Sequence, residues 1–448
     1  MKLVTPHLTV EDSEGFTQDA LQREKFGNAL FNLVNRSTGE LVISLDGKWG
    51  EGKTTFVKMW QGLLKKNSIP SVYIDAFKND YTDDPFISIA SAITSYMDEH
   101  ARDSQKSLKF KEVATKVGVR LLSWTAKIGV KAATLGVIEA VDIADLSKAA
   151  DDVASDTAEA VSDLVKERLS MHSKEVALMD SFRTLLSELP TNLKGNQSGR
   201  LVIVIDELDR CKPSFAVEFL EKIKHLFSVT NVVFLLVMHK QQLEEAIKCV
   251  YGSTIDAHTY LQKFIHIETT LPKSLNGQYD NDIKRYIQRL FRLHEITTWG
   301  DDRDIADCLT PLAQHFNLSL RQLEKVFTNL AIIYSASKQN YLRLVPIIVF
   351  ISVVKVVHPN VFNELSLKKI FFSDLIEKLD LSNLSEESGS LSRMLNWVRF
   401  SMLTDAEFEA ITGDDPIKKY STSLWTYSID RSELLPMFCQ DLNMFNMN

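Results

Sequence analysis

Apolar residues along the chain form short continuous runs that alternate with longer segments of helical spacing. The short runs predict five strands, at Leu41–Leu45, Ser71–Ala76, Leu201–Ile205, Val232–Met238 and Phe264–Ile267. Amphipathic helices are predicted at Leu21–Val34, directly after Gly52, and from about Asp84 to His100. Strands that alternate with helices indicate a parallel α/β sheet with helices on both faces.

The same pattern divides the chain into four ranges. The predicted units are the first half of the α/β core at 1–104, a helical insertion at 105–180, the second half of the core at 181–271 and an all-helical C-terminal region at 272–448. The range 105–180 is an insertion because a crossover between parallel strands needs only about a dozen residues. Leu344–Val357 is strongly apolar but too short to span a bilayer and contains Lys355, so a buried helix is predicted there.

The insertion has an apolar first half and an acidic second half. Val117–Val141 resembles a membrane span in composition, but charged residues interrupt it at Arg120, Lys127, Lys131 and Glu139. A charge at the centre of a bilayer is costly. The second half carries an apolar stripe at helical spacing. Three interpretations stay open: a helical hairpin packed on its own core, an arm that contacts a partner or a membrane, and a transmembrane hairpin.

Composition agrees with a large soluble protein. The 448 residues allow two or three domains, and a net charge of −8 with no clear nucleic-acid patch argues against a protein that coats nucleic acid. The cysteines are scattered without a C-x-x-C pair, at Cys211, Cys249, Cys308 and Cys439. That spacing argues against a disulfide framework and against a zinc site. The N-terminus lacks the apolar core of a secretory signal, so a cytoplasmic location is predicted.

The first chemical motif lies between the first predicted strand and the helix that follows it. Gly47–Thr54 reads G-K-W-G-E-G-K-T, a complete G-x-x-x-x-G-K-[ST] phosphate-binding loop. Backbone N–H groups of such a loop, at the positive end of a helix, bind phosphate oxygens. Lys53 adds a positive charge, and the Thr54 hydroxyl is placed to bind Mg²⁺. The predicted nucleotide-binding residues of this segment are Gly47, Gly50, Glu51, Gly52, Lys53, Thr54 and Thr55.

The second motif follows the third predicted strand. Leu201–Ile205 is a continuous apolar run that ends in Asp206 and Glu207. An acid at that position can hold Mg²⁺, and the next carboxylate can polarise an attacking water. A core strand that ends in a solvated acidic turn is the alternative interpretation. Together with an intact phosphate loop, the pattern favours hydrolysis of ATP with Mg²⁺ as the cofactor.

These residues carry a family resemblance. The chain resembles KAP-type P-loop NTPases in segments spread over about residues 19 to 330, namely Asp19–Gly27, Gly47–Thr54, Tyr73–Lys78, Ile205–Cys211, Tyr260–Ile265 and Leu320–Val326. The most specific of these reads I-D-E-L-D-R-C, where the family has I-D-D-L-D-R-C. The resemblance implies that Arg23 helps to form the nucleotide pocket and that the helix carrying Arg321 brings an arginine to the nucleotide.

The resemblance also assigns roles that the residues alone leave open. Arg210 and Arg321 are expected to complete the catalytic site with Lys53, Asp206 and Glu207, one arginine within the protomer and one from a neighbour. Alternatively, Asp209 and Arg210 form a local salt bridge. His239 ends the fourth strand, where related ATPases sense the γ-phosphate, although an isolated histidine can be merely structural. Glu207 departs from the family's Asp, and the family's transmembrane helices do not transfer to this charged insertion.

The resemblance extends to biological role. Bacterial proteins resembling this family include phage-exclusion factors, so an ATP-gated oligomeric switch in anti-phage defence is the leading expectation. Such a switch would be a homo-oligomer that acts through a separate effector protein, with membrane contact the less favoured option. The alternative is an ATPase that scaffolds or remodels a membrane-associated complex. A nucleotide-locked binding module is a third class, against which Glu207 argues.

Overall fold

The structure is a computed structural model of the chain. It describes residues 1–6, 15–81, 84–119, 173–174, 176–273, 279–382, 389–411, 415–420, 424, 427 and 429–444. Within these ranges the first two-thirds of the chain form a sheet with helices on both faces. The described parts after residue 279 are helical or irregular and contain no strand.

Five parallel strands make up the sheet. Their bounds are β1 Leu41–Asp46, β2 Ser71–Asp75, β3 Leu201–Asp206, β4 Val232–Met238 and β5 Ile267–Thr270. The order across the sheet is β2-β3-β4-β1-β5, and every neighbouring pair is parallel. Every residue of β3 and β4 is buried, as expected for strands covered on both faces. The predicted fold class is confirmed.

Alternate residues of each central strand enter two different cores. In β3, Ile203 and Ile205 pack on one side of the sheet, whereas Val202 and Val204 pack on the other. The helices of this part are α1 Glu24–Arg36, α2 Lys53–Lys66, α3 Ala76–Asn79, α4 Pro85–His100, α5 Pro213–Lys222, α6 Lys240–Tyr251 and α7 Ala257–Leu261. Apolar residues of α1 and α2 fill one core, and those of α4 to α7 fill the other.

The described ends of the predicted insertion are helical and pack against the sheet. Residues 104–119 and 176–188 are α-helical. Phe110 contacts Phe182 with ring centroids 5.4 Å apart, and both side chains are buried in the core that covers Ile203 and Ile205. The interpretations offered for Val117–Val141 concern residues that lie mostly outside the described ranges. Within the described residues, no helix is both long enough and apolar enough to cross a membrane.

The helical C-terminal region has its own core. Its helices are α8 Tyr279–His294, α9 Asp302–His315, α10 Leu320–Ala336, α11 Val345–Val357, α12 Pro359–Ser366, α13 Phe372–Lys378, α14 Ser390–Met402, α15 Asp405–Ala410 and α16 Leu434–Asn443. Helix α11 lies at the centre, and nearly all of its apolar side chains are buried. The prediction of a buried helix at Leu344–Val357 is confirmed.

Two elements begin three residues later in the structure than predicted. The fifth strand was predicted at Phe264–Ile267 but is Ile267–Thr270. Phe264 and Ile265 are buried beside α7, whereas β5 is an edge strand whose residues alternate between half-buried and exposed. The first helix begins at Glu24 rather than Leu21 because the Asp19 carboxylate accepts the N–H groups of both residues and holds a turn ahead of the helix.

Candidate functional site

The carboxyl ends of the central strands bring the two motifs together. The phosphate loop follows β1, and the acidic turn follows β3. Asp75 at the end of β2 lies beside Asp206 at the end of β3. Because parallel strands end at the same edge, these groups and the loop share one crevice, where ligands of open α/β sheets bind.

The phosphate loop requires glycine at two positions and folds its lysine inward. Gly50 and Gly52 have φ of +83° and +82°, a left-handed conformation that side chains disfavour. The Lys53 ammonium donates to the carbonyl oxygens of Gly47 at 2.5 Å and Lys48 at 3.2 Å. Burial lowers the pKa of Lys53, and neighbouring carboxylates oppose that shift. In this structure the Lys53 side chain therefore folds back onto the phosphate loop, where its ammonium is bound by two backbone carbonyls.

Asp206 is the buried centre of the site. Its side chain is only 1% exposed, and Oδ2 accepts the Thr54 hydroxyl at 2.7 Å and the Tyr73 hydroxyl at 2.9 Å. Oδ1 accepts the backbone N–H of Glu207 at 2.8 Å. Desolvation raises the pKa of Asp206, although these hydrogen bonds and Lys53 oppose the rise. The structure therefore places Thr54 against Asp206 as predicted and adds Tyr73, which lies in a segment that resembles the family but was given no role from the sequence.

Thr54 and Asp206 form a donor set that suits Mg²⁺. The ion prefers oxygen ligands and in ATPases takes one or two from the protein, with phosphate oxygens and waters completing its shell. Among the described residues, no group of three or more His, Cys, Asp or Glu side chains is arranged to hold a metal. A hydroxyl and a carboxylate at 2.7 Å are consistent with a metal shared with a nucleotide rather than one enclosed by the protein.

Glu207 adopts a backbone conformation that is unusual for a residue with a side chain. Its φ is +63°, and such strain is commonly found at functional sites. The Arg210 guanidinium lies 2.9 Å from Oε1 of Glu207. Desolvation raises the pKa of Glu207, and the charge of Arg210 opposes the rise. The alternative prediction of a salt bridge between Asp209 and Arg210 is therefore wrong, because Arg210 forms its salt bridge with Glu207.

Asp209 instead contacts the phosphate loop. Its Oδ2 accepts the indole N–H of Trp49 at 2.5 Å. The Trp49 ring also lies edge-on to His239, with centroids 5.6 Å apart. The His239 Nδ1 is buried and has no hydrogen-bond partner among the described residues. Trp49 and Asp209 were not predicted as site residues, although Trp49 lies within the loop motif itself.

Arg23 and Glu51 tie the loop to the start of the helical region. The Arg23 side chain, 5% exposed, donates to the carbonyl oxygens of Glu51 at 2.9 Å and Pro272 at 3.1 Å. The Glu51 carboxylate accepts the Lys48 N–H at 2.9 Å and pairs with Lys273 at 3.2 Å. Arg23 and Glu51 also line a pocket bounded by the first turn of α10. Both predicted residues thus lie at the loop.

Helix α10 contacts the tip of the loop. The Arg321 N–H donates to the Gly50 carbonyl at 3.2 Å. A Cβ on Gly50 would lie 2.6 Å from the Cβ of Arg321, so this contact also requires glycine. The helix begins with a capping box between Ser319 and Gln322, which fixes its first turn. Arg321 therefore lies beside the phosphate loop of its own chain, with an exposed side chain.

The comparison with protein-family models identifies the family of this chain. The model of the KAP family P-loop domain matches residues 23–337, which include the loop, the acidic turn and α10. No curated protein matches the chain. The Aeropyrum pernix ORC2 protein in its ADPNP-ADP complexes is 13% identical, with a TM-score of 0.36 over 98% of this chain and 95% of that chain. The ADP form of the same protein is also 13% identical, with a TM-score of 0.34 over 99% and 97%.

Proposed function

The chain belongs to the KAP family of P-loop domains, and from this premise we propose that it hydrolyses ATP with Mg²⁺ and acts as an ATP-gated oligomeric switch. The observation that carries the proposal is the contact between Thr54 and Asp206, 2.7 Å apart in space and 152 residues apart in sequence. It joins the phosphate loop to the acidic turn in one crevice. Glu207, the candidate base, is the next residue along the chain.

The chemistry follows from the positions of the charged groups. The loop N–H groups and Lys53 bind the phosphates, and Lys53 exchanges its loop carbonyl acceptors for phosphate oxygens. Thr54 and Asp206 would hold Mg²⁺, which would supply charge neutralisation on the phosphate oxygens. Glu207 accepts a hydrogen bond from the attacking water and takes up the proton that this water loses. The water oxygen bonds to the γ-phosphorus as the bond to the leaving oxygen of ADP breaks, which yields ADP and phosphate.

Arg210 controls the charge state of Glu207. Glu207 must be ionised to orient water, so activity is lost as the pH falls through its pKa. Desolvation raises that pKa, and Arg210 lowers it. Arg210→Ala should therefore move the acidic limb of the kcat profile to higher pH, whereas Arg210→Lys, which keeps the charge, should move it less. Profiles of kcat between about pH 5 and 8 measure this. An acidic limb at the same pH in Arg210→Ala and wild type would contradict the assignment.

Self-association is the proposed output of the ATP cycle. Gly50 of the loop and Arg321 of α10 are in direct contact, so a ligand that changes the loop can move the helical region. ATP can drive assembly only if it binds the assembled state more tightly. The anti-phage role rests on the resemblance to a family to which bacterial phage-exclusion factors are similar. A nuclease or other toxic effector encoded beside this chain would favour that role, and a neighbouring membrane protein would favour remodelling.

Assembly gives a direct test of the switch. Glu207→Gln with ATP and Mg²⁺ should form larger particles than the same protein without nucleotide, because bound ATP is retained. Light scattering after size exclusion measures particle mass, with Lys53→Ala as the variant that should not respond. Arg321→Ala should keep ATP binding but lose much of the hydrolysis. A monomeric mass in both nucleotide conditions, with full activity at high dilution, would reject the switch and leave a self-sufficient ATPase.

A further inference from the structure

Trp49 connects three parts of the site across the mouth of the crevice. It lies in the middle of the phosphate loop and is 45% exposed. Its indole N–H donates to Asp209 in the acidic turn after β3, and its ring contacts His239 at the end of β4. An indole N–H is only a donor, so it selects a carboxylate or another acceptor as its partner. The loop is thus bonded to an acid that lies outside the Thr54–Asp206 pair.

The charge of Asp209 acts on the lysine that is proposed to bind phosphate. Of the carboxylates that raise the pKa of Lys53, Asp209 has the largest effect, ahead of Asp206 and Glu51. Lys53 itself rests on two loop carbonyls. Its hydrogen bond to Trp49 holds the Asp209 carboxylate at the same loop that carries Lys53. The Asp209 carboxylate and a phosphate bound at Lys53 would repel each other, and the repulsion is strongest at a site that is partly removed from water.

We propose that the Trp49–Asp209 hydrogen bond is a latch that holds a carboxylate in competition with the γ-phosphate of ATP for Lys53. This proposal rests on the proposed function and adds a means of regulating nucleotide binding at the same site. ADP, which lacks the third phosphate, meets less of this competition than ATP. Entry of ATP breaks the hydrogen bond and frees the acidic turn that carries Glu207 and Arg210. A single, partly exposed hydrogen bond is weak enough to exchange in this way.

Two substitutions separate the charge from the hydrogen bond. Asp209→Asn keeps an acceptor for the indole but removes the negative charge. Trp49→Phe removes the indole N–H but keeps an aromatic ring beside His239. Dissociation constants for ADP and for a slowly hydrolysed ATP analogue, each with Mg²⁺, are measured by calorimetry on the full chain. Asp80→Asn is the matched control, because its carboxylate faces Lys212 in a neighbouring loop rather than Trp49.

The expected result is tighter binding in both variants. Asp209→Asn should bind the ATP analogue about tenfold more tightly, with a smaller change for ADP, the size expected for one charge at a partly exposed site. Trp49→Phe should shift affinity in the same direction by less. The double variant should match Asp209→Asn, because both changes act on one interaction. Asp80→Asn should bind like wild type.

Other outcomes overturn the latch. Weaker binding in both variants would show that Trp49 and Asp209 hold the nucleotide rather than exclude it. If Asp80→Asn binds the ATP analogue as much more tightly as Asp209→Asn does, the effect comes from the overall charge of the protein. If the affinity for ADP rises as much as that for the ATP analogue, Asp209 does not compete with the γ-phosphate. Failure of wild type to bind either nucleotide would refute the proposed function itself. Should Trp49→Phe not fold, Asp209→Asn alone decides between these results.

Discussion

Replacing Glu207 with glutamine is expected to slow ATP hydrolysis by about a hundredfold or more while leaving ATP bound. The amide has nearly the same shape as the carboxylate, but it carries no charge with which to polarise water. Lys53, the proposed phosphate ligand, and Thr54, the proposed Mg²⁺ ligand, are unchanged by the substitution. The variant also loses the ion pair with Arg210, which is 2.9 Å long in the wild type, so binding and turnover must be measured separately.

Phosphate release gives kcat for Glu207→Gln, and calorimetry gives the dissociation constant of ATP. Glu221→Gln is the matched control, since Glu221 lies in α5 of the same domain and its carboxylate accepts hydrogen bonds from Tyr251 and Tyr260 away from the crevice. The control should turn over like wild type. A kcat for Glu207→Gln within a few-fold of wild type would remove Glu207 from the role of base.

The second large effect is expected at the other motif. Lys53→Ala should lose ATP binding, because the Lys53 ammonium can leave its two carbonyl acceptors for phosphate oxygens. Loss of a charged partner in a desolvated contact costs about 2–5 kcal/mol, roughly thirtyfold or more in affinity. Lys58→Ala, an exposed lysine of the same helix, controls for the loss of charge. Wild-type affinity in Lys53→Ala would contradict the assignment.

The sequence predicted the centre of the site because both motifs are tied to strand ends. Thr54 follows β1 and Asp206 ends β3, so parallel pairing brings them to one edge of the sheet. Contacts between loops were harder to predict. Whether Arg210 pairs with Glu207 or Asp209 depends on the left-handed backbone of Glu207, and residue order does not specify that conformation.

The missed strand boundary has a related cause. Apolar composition marks burial, but it does not distinguish a strand from a buried turn. Phe264 and Ile265 are buried without belonging to β5, and the edge strand itself is partly polar. Tyr73 and Trp49 were missed for a different reason. Each supplies a single hydrogen-bond donor to an acid distant in sequence, and such a pair becomes apparent only when the strands are aligned in space.

Release of phosphate from ATP by the purified wild-type chain, with Mg²⁺ and after its removal by a chelator, tests the central claim most directly. Lys53→Ala and Glu207→Gln, prepared in the same way, exclude a contaminating ATPase. We expect steady release that requires Mg²⁺ and is lost in both variants, as the proposed hydrolysis requires. Release that persists unchanged in both variants, or a wild-type chain that binds ATP and Mg²⁺ without releasing phosphate at any concentration, would contradict it.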